Sequence, residues 1–170
     1  NLDSMRPNLA YVSLSDGYVF DRFELTEHKL SIRHLDVSRS GQVVAGLQYQ
    51  GAKTDVQPLL ISHQGQTQLT TFQASDRAWL SLSQYVGSVC INEEKNLVAA
   101  SCPKANSITL WDLTRHTLVE RIKVADGAGL AKAPSGFWSS SGKGEVYGID
   151  GDKKTLRAQR AVKWDNHLAL

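Results

Sequence analysis

Cys90 and Cys102 are the only cysteines in the 170-residue chain, so it has neither a disulfide framework nor a CxxC metal or redox motif. It has no surplus of one charge either: 19 Lys and Arg against 17 Asp and Glu leave a formal +2. That balance excludes nucleic-acid binding through a broad basic surface, and it excludes an acidic disordered tail. No run approaches the roughly 18 uncharged apolar residues of a membrane-spanning helix. No basic-then-apolar leader opens the chain. Asn1 rather than Met stands first, as expected of a processed chain or a piece of a longer one. Against these absences, hydrophobic residues make up 41% and charged ones 21%, enough to bury a core. The length is that of about one domain.

What the sequence does contain is a repeat. The run His34 to Gly46, moved by 54 positions, lands without gaps on Ser88 to Ala100. Both copies read as an alternating strand, a polar four-residue turn and a second β-rich strand, and a shorter version lies at Leu130 to Trp138. A third strand follows each copy (Leu59–His63, Ile108–Asp112, Val146–Asp150), and an earlier one lies at Leu9–Ser13 before the hairpin signal Asp16-Gly17. Fourth strands come at Tyr18–Leu25, Gln68–Phe72, Leu118–Val124 and Leu156–Val162. The ends of the third strands are spaced by 50, 49 and 38 residues.

Four short antiparallel strands, A to D, in about 40–50 residues are the unit of a β-propeller blade. The expected fold is therefore an all-β propeller segment of about 3.5–4 four-stranded blades. It has strands C and D at 8–25, full blades at 32–72, 87–124 and 129–162, and a closing strand at 164–170. A β-sandwich of regular hairpins is the competing fold, and the gap-free repeat argues against it. Ser75 to Val86 breaks the pattern. Trp79, Leu82, Tyr85 and Val86 stand at helical spacing behind an N-cap at Ser75 or Asp76, which predicts one short inter-blade helix with a packing stripe.

The segment Gly87 to Ile122, with Trp111-Asp112 ending its third strand, resembles a WD40 or YVTN-type blade, although the Gly-His pair of WD40 blades is missing. The motifs NLDSM (1–5), LSIRHL (30–35), QYQG (48–51), YVGSV (85–89) and WDNHL (164–168) together resemble a bacterial family of WD40-like propellers of unknown function. The resemblance spans the whole chain and the C-terminal half of the family's length. It implies an incomplete seven-bladed ring, a periplasmic location and no assigned activity. Family members are often encoded near imelysin-like iron-uptake proteins, which is a hint about pathway.

Propeller geometry puts the D-to-A connections and B-to-C loops on one face, with strand A lining the channel. The irregular segments 1–7, 50–57, 75–86 and 163–166 all fall on that face, where a rigid scaffold collects its binding groups. Arg33, His34, Tyr49, Gln50, Tyr85, Asn166 and His167 are the ligand-binding candidates. His34 and His167 occupy matching positions at successive strand A copies. With Asp165 and Asp3 nearby they could ligate a metal, or each imidazole could bond a neighbouring blade's backbone. Tyr49 either holds a ligand or wedges between blades. Arg6 and Arg33 suit a bidentate carboxylate contact or an inter-blade ion pair. His28, His63 and His116 read as surface turn residues.

No catalytic motif stands out. Ser139 to Glu145 lacks the spacing and following helix of a phosphate loop, and no serine sits in GxSxG. Trp111 reads as a blade-packing residue. If 93–96 is a turn, Cys90 faces Ala99 and Cys102 points to the other side of the sheet, so they cannot pair. The expected protein is a non-enzymatic binding or scaffold module without a cofactor, with no nucleic-acid partner and no membrane span. The alternative is a metal- or haem-associated periplasmic accessory that uses His34 and His167. Because an open propeller leaves strand edges unpaired, the ring is expected to be completed by the N-terminal half of the same propeller or by a second copy. A periplasmic protein is the other expected partner.

Overall fold

Residues 2–165 are described by the computed structural model. The repeat folds as three four-stranded antiparallel sheets of consecutive strands, preceded by a two-stranded one. The first hairpin is β1 (Asn8–Val12) and β2 (Val19–Glu24). The second sheet holds β3 (Leu30–Val37), β4 (Val43–Tyr49), β5 (Leu60–His63) and β6 (Thr70–Thr71). After the helix α1 (Asp76–Leu80) come β7 (Ser88–Asn92), β8 (Leu97–Cys102), β9 (Ser107–Asp112) and β10 (Leu118–Lys123). The last sheet holds β11 (Gly127–Ala133), β12 (Gly136–Ser141), β13 (Glu145–Asp150) and β14 (Lys153–Gln159). Each sheet is a blade, and β7 touches both β3 and β11, so the first strands of the three full blades lie side by side. Of the closing strand expected at 164–170, residues 164–165 are not in a strand and 166–170 lie outside the described residues.

The turns explain both the repeat and its small defects. The strands flanking the first two A–B turns superpose at a shift of 54, but the left-handed residue does not. It is Gly41 (φ +84°) in one turn and Asn96 (φ +54°) in the other, one position later after the shift. Both residue types accept that conformation at low cost.

Two apolar layers hold the blades together. One lies between the second and third sheets and includes Leu47, Leu60, Phe72, Val98 and Trp111. The other lies between the third and fourth, built from Ile108, Leu110, Val124, Phe137 and Ile149. The third sheet therefore buries both faces, so every residue of β7 is buried. Cys90 does face Ala99. It belongs to the second layer and Cys102 to the first, so both thiols are free and on opposite sides of one sheet. Burial pushes both thiols up to about 12, which keeps them protonated and inert.

Four expectations need correction. The helix is five residues long, shorter than the segment that suggested it. The outer strand of the second sheet is only two residues, because the chain stays irregular through 64–69. His63 is only 4% exposed, not a surface residue. Its Nε2–H donates to the Gln66 carbonyl (2.8 Å), its Nδ1 accepts from the Tyr11 hydroxyl (2.6 Å), and its ring lies 4.1 Å from that of Phe23. It fills the joint between the first hairpin and the second sheet. His116 is likewise half-buried, against Phe72.

Candidate functional site

The loop face is built around α1. Ser75 caps the helix by accepting from the Ala78 amide (3.3 Å), as its residue type favours. Trp79, Leu82 and Val86, three of the four residues of the predicted stripe, are buried in the layer between the second and third sheets. The Trp79 indole stacks on Trp111, whose Nε1–H donates to Thr109 Oγ1 (2.8 Å). The chain after the helix then joins the end of β4. The Tyr49 amide donates to Gln84 O and the Val86 amide to Leu47 O, both at 3.0 Å. Ser83 (φ +55°) and Gln84 (φ +56°) are consecutive left-handed residues with side chains, a costly arrangement held by its surroundings.

The loop from Gln50 to Gln57 is tied to this segment. Gln84 Nε2–H donates to the carbonyls of Ala52 (2.7 Å) and Asp55 (3.4 Å). The Tyr49 hydroxyl donates to Asp55 Oδ2 (2.8 Å), and that bond to a carboxylate pushes the phenol up to about 12. Tyr49 is thus a buried wedge, with its ring packed in the core layer. Gln50 is exposed beside it, anchored by its amide on the Lys29 carbonyl (3.0 Å). Tyr85 is half-buried with the Lys104 ammonium 4.9 Å above its ring. Arg121 bonds the Ser81 and Ala105 carbonyls and so fastens the insert to the third sheet.

Tyr49, Gln50 and Tyr85 therefore come together, while Arg33 and His34 lie further along β3. Arg33 is the extra residue of a bulge between Ile32 and His34 and is exposed. His34 lines a cleft of about 420 Å³ on the inner surface of the three first strands, where its Nδ1 accepts from the Val89 amide (3.1 Å). It bonds the next blade's backbone, and Nε2 then carries the ring proton. Neither Arg6 nor Arg33 forms an ion pair among the described residues. Asp165 is exposed and its carbonyl accepts from Ser140 Oγ (3.4 Å). Asn166 and His167 lie outside the described residues, and no metal-holding group of three His, Cys, Asp or Glu occurs among those described.

Two features were missed by sequence reading. A set of clasps joins successive blades at the opposite end of the inner strands. Asp36 Oδ2 accepts from the Ile91 amide (2.7 Å), and Glu93 accepts from the amides of Arg39 (2.8 Å) and Ser40 (3.2 Å). Asn92 Nδ2–H donates to Ala133 and Gly136 carbonyls, and Lys132 pairs with Glu94 at 2.8 Å. These are polar residues at strand ends and in turns, which sequence alone reads as solvated. The second feature is a cleft of about 560 Å³ between β2 and the irregular outer edge of the second sheet. Leu25, Leu30, Leu47, Ile61 and Leu69 line it, and Glu27, Gln57 and Pro58 place one end on the loop face. Its one sequence signal is the run of small and polar residues where a full outer strand was expected.

Solved structures share this architecture at low identity. Sqt1 of Saccharomyces cerevisiae matches with a TM-score of 0.66 and 13% identity, over 92% of this chain and 44% of that one. Hydrazine synthase of Kuenenia stuttgartiensis matches with a TM-score of 0.62 and 14% identity, over 80% of this chain and 38% of that one. A catalytically inactive virginiamycin B lyase from Staphylococcus aureus, solved with quinupristin, matches at 0.58 and 14% identity, over 78% and 42%. The chain thus spans less than half the length of each, and the likeness is to a β-propeller-like fold of about three to four blades. None of the curated proteins compared with it matches. A family model does match, over residues 1–170, and the chain belongs to that family, described as "Protein of unknown function (DUF1513)".

Proposed function

We propose that this chain is part of a periplasmic β-propeller ring that works as a non-enzymatic binding or scaffold module. A protein, peptide or small ligand would be met at the face formed by the 50–57 loop and the 81–86 turn, with the exposed Gln50 and the half-buried Tyr85 as its contacts. One observation carries the reading. Tyr49, Asp55 and Gln84 lock two long loops into one surface, and a preordered surface loses less entropy on binding than a mobile one. Paired left-handed residues at Ser83 and Gln84 support it, since backbone strain of this kind clusters at ligand clamps. The remaining blades of the ring, from the same propeller or a second copy, are proposed to cover the first hairpin. Its strand β1 has an unpaired edge among the described residues, and Leu35 and Val37 of β3 are exposed.

The experiment is site-specific photo-crosslinking in intact cells. A photoreactive residue at Gln50 or Tyr85 is compared with one at Lys95, in a turn at the opposite end of the inner strands. Discrete adducts from the first two positions and none from Lys95 are expected. Equal adducts from all three positions would contradict the proposed face. Release of the crosslinked full-length protein by osmotic shock checks the periplasmic location.

A further inference from the structure

The near-neutral net charge conceals an uneven distribution. Residues 153–163 contain Lys153, Lys154, Arg157, Arg160 and Lys163 and no acid, so this segment carries +5 and the rest of the chain −3. Two of these cations are held by the third and fourth sheets. Lys154 donates to the Lys123 carbonyl (2.8 Å) and lies 4.8 Å from the Tyr147 ring centre, and Arg157 sits over Trp138 at 5.8 Å. Arg160 and Lys163 are placed differently, although Arg160 Nη1–H also donates to the Gln159 carbonyl (3.0 Å). Together with Lys143 they line a shallow cleft of about 400 Å³, completed by Gly142, Ala161 and Val162.

The backbone makes this juxtaposition. Lys143 stands in the B–C turn of the last blade between two glycines, and the Arg160 amide donates to the Gly144 carbonyl (2.9 Å), pinning 160–163 along the turn. Gly144 has φ +85°, and a Cβ there would collide with the Arg160 and Val162 carbonyls, so only glycine permits the approach. Of the neighbouring carboxylates, Glu145 accepts from Ser141 Oγ (3.0 Å), Asp126 lies against Gly142, and Asp165 is exposed two residues beyond Lys163. None of the three ion pairs among the described residues includes Lys143, Arg160 or Lys163. Three like charges held in one cleft repel unless an anion lies between them.

We propose that Lys143, Arg160 and Lys163 form a binding site for a multiply charged phosphate group. Phosphate fits because it offers several charged acceptor oxygens to one guanidinium and two ammonium groups. The group could belong to a free phosphate ester or to an anionic phospholipid headgroup. The proposal does not rest on the binding face argued above.

Two binding assays on the full chain, both at about 0.15 M ionic strength, test it. One titrates inorganic pyrophosphate by calorimetry. The other sediments the protein with phosphatidylcholine vesicles containing about 30% phosphatidylglycerol, where each surface cation is worth about 1 kcal/mol, or roughly five-fold in affinity. Binding in either assay that weakens about five-fold per charge in K143Q, R160Q and K163Q, and disappears in the triple variant, supports the site. Pyrophosphate binding alone assigns a soluble phosphate, and vesicle binding alone assigns a headgroup. K95Q and R115Q serve as distant controls and are expected to leave binding unchanged. An unchanged thermal midpoint in the triple variant excludes unfolding as the cause of the loss. Absence of binding in both assays, binding retained by the triple variant, or binding that vanishes at this ionic strength (an adventitious ion only) would overturn it.

Discussion

The indole of Trp79 lies almost flat on that of Trp111, with ring centres 4.9 Å apart and planes inclined by 20°. One ring comes from the inserted helix and the other from the middle of the third sheet, so this pair fastens the loop face to the blade beneath it. Replacing Trp79 by Ala removes a buried aromatic and leaves a cavity against Trp111, a change that costs about 3–5 kcal/mol. Urea unfolding followed by fluorescence is expected to show the midpoint falling with little change in slope. A midpoint within error of the parent would mean that the helix is not fastened here.

Gly46 faces Val86 and Val89, and a Cβ on it would collide with both. The tight turn at the end of the insert packs onto β4 only because position 46 has no side chain. Gly46→Ala is therefore expected to destabilise by about 1–3 kcal/mol through overpacking. Adding Val86→Ala should recover part of the loss in a double-mutant cycle.

Glu93 and His116 are two of the groups that shape the response to acid. The Arg39 and Ser40 amides hold the Glu93 carboxyl below its ordinary 4.5, and burial holds His116 below its ordinary 6.5. Both folded-state values lie below the unfolded ones, so the unfolded chain binds more protons and stability declines as pH falls. The His116 contribution is complete above 6.5 and is lost as pH drops through its folded value. The Glu93 contribution is lost later, below 4.5. Thermal midpoints from pH 8 to 3 should fall in these two windows. In Glu93→Gln the lower decline should be shallower and the upper one unchanged.

Leu35 and Val37 are 44% and 52% exposed on the innermost strand of the second sheet, and Phe20 of the first hairpin is 60% exposed. Surfaces of this kind elsewhere in the fold are covered by the next blade. At micromolar concentration the chain is expected to scatter light as a dimer, or to stay bound to the other half of its ring when the two are co-expressed. Leu35→Lys with Val37→Lys should abolish either association. A well-folded parent monomer that ignores a co-expressed half would contradict the open-ring account.

The blades were legible in the sequence because strand alternation and turn residues recur at a nearly fixed period, and the A–B hairpins match without a gap. Trp79 and Trp111 were legible as packing residues for the same reason, as large apolar groups at positions facing the core. The locks of the loop face were not. Tyr49 reads equally as a rim ligand or a wedge, and only the position of Asp55, six residues on in an irregular loop, decides for the wedge. His34 had the same two readings until the Val89 amide was found against its Nδ1. His63 was misread because its partner Tyr11 is 52 residues away in another blade. Polar contacts across blades depend on the distance between loops, which local periodicity does not encode.

The most direct test of a preordered face is hydrogen exchange, amide by amide, in the parent and in Gln84→Ala. The Tyr49 and Val86 amides, whose bonds join the segment after the helix to the end of β4, should exchange as slowly as the other amides of β4, and Gln84→Ala should speed both without affecting β9. Exchange of these two amides in the parent at the rate of an unstructured loop would contradict the account.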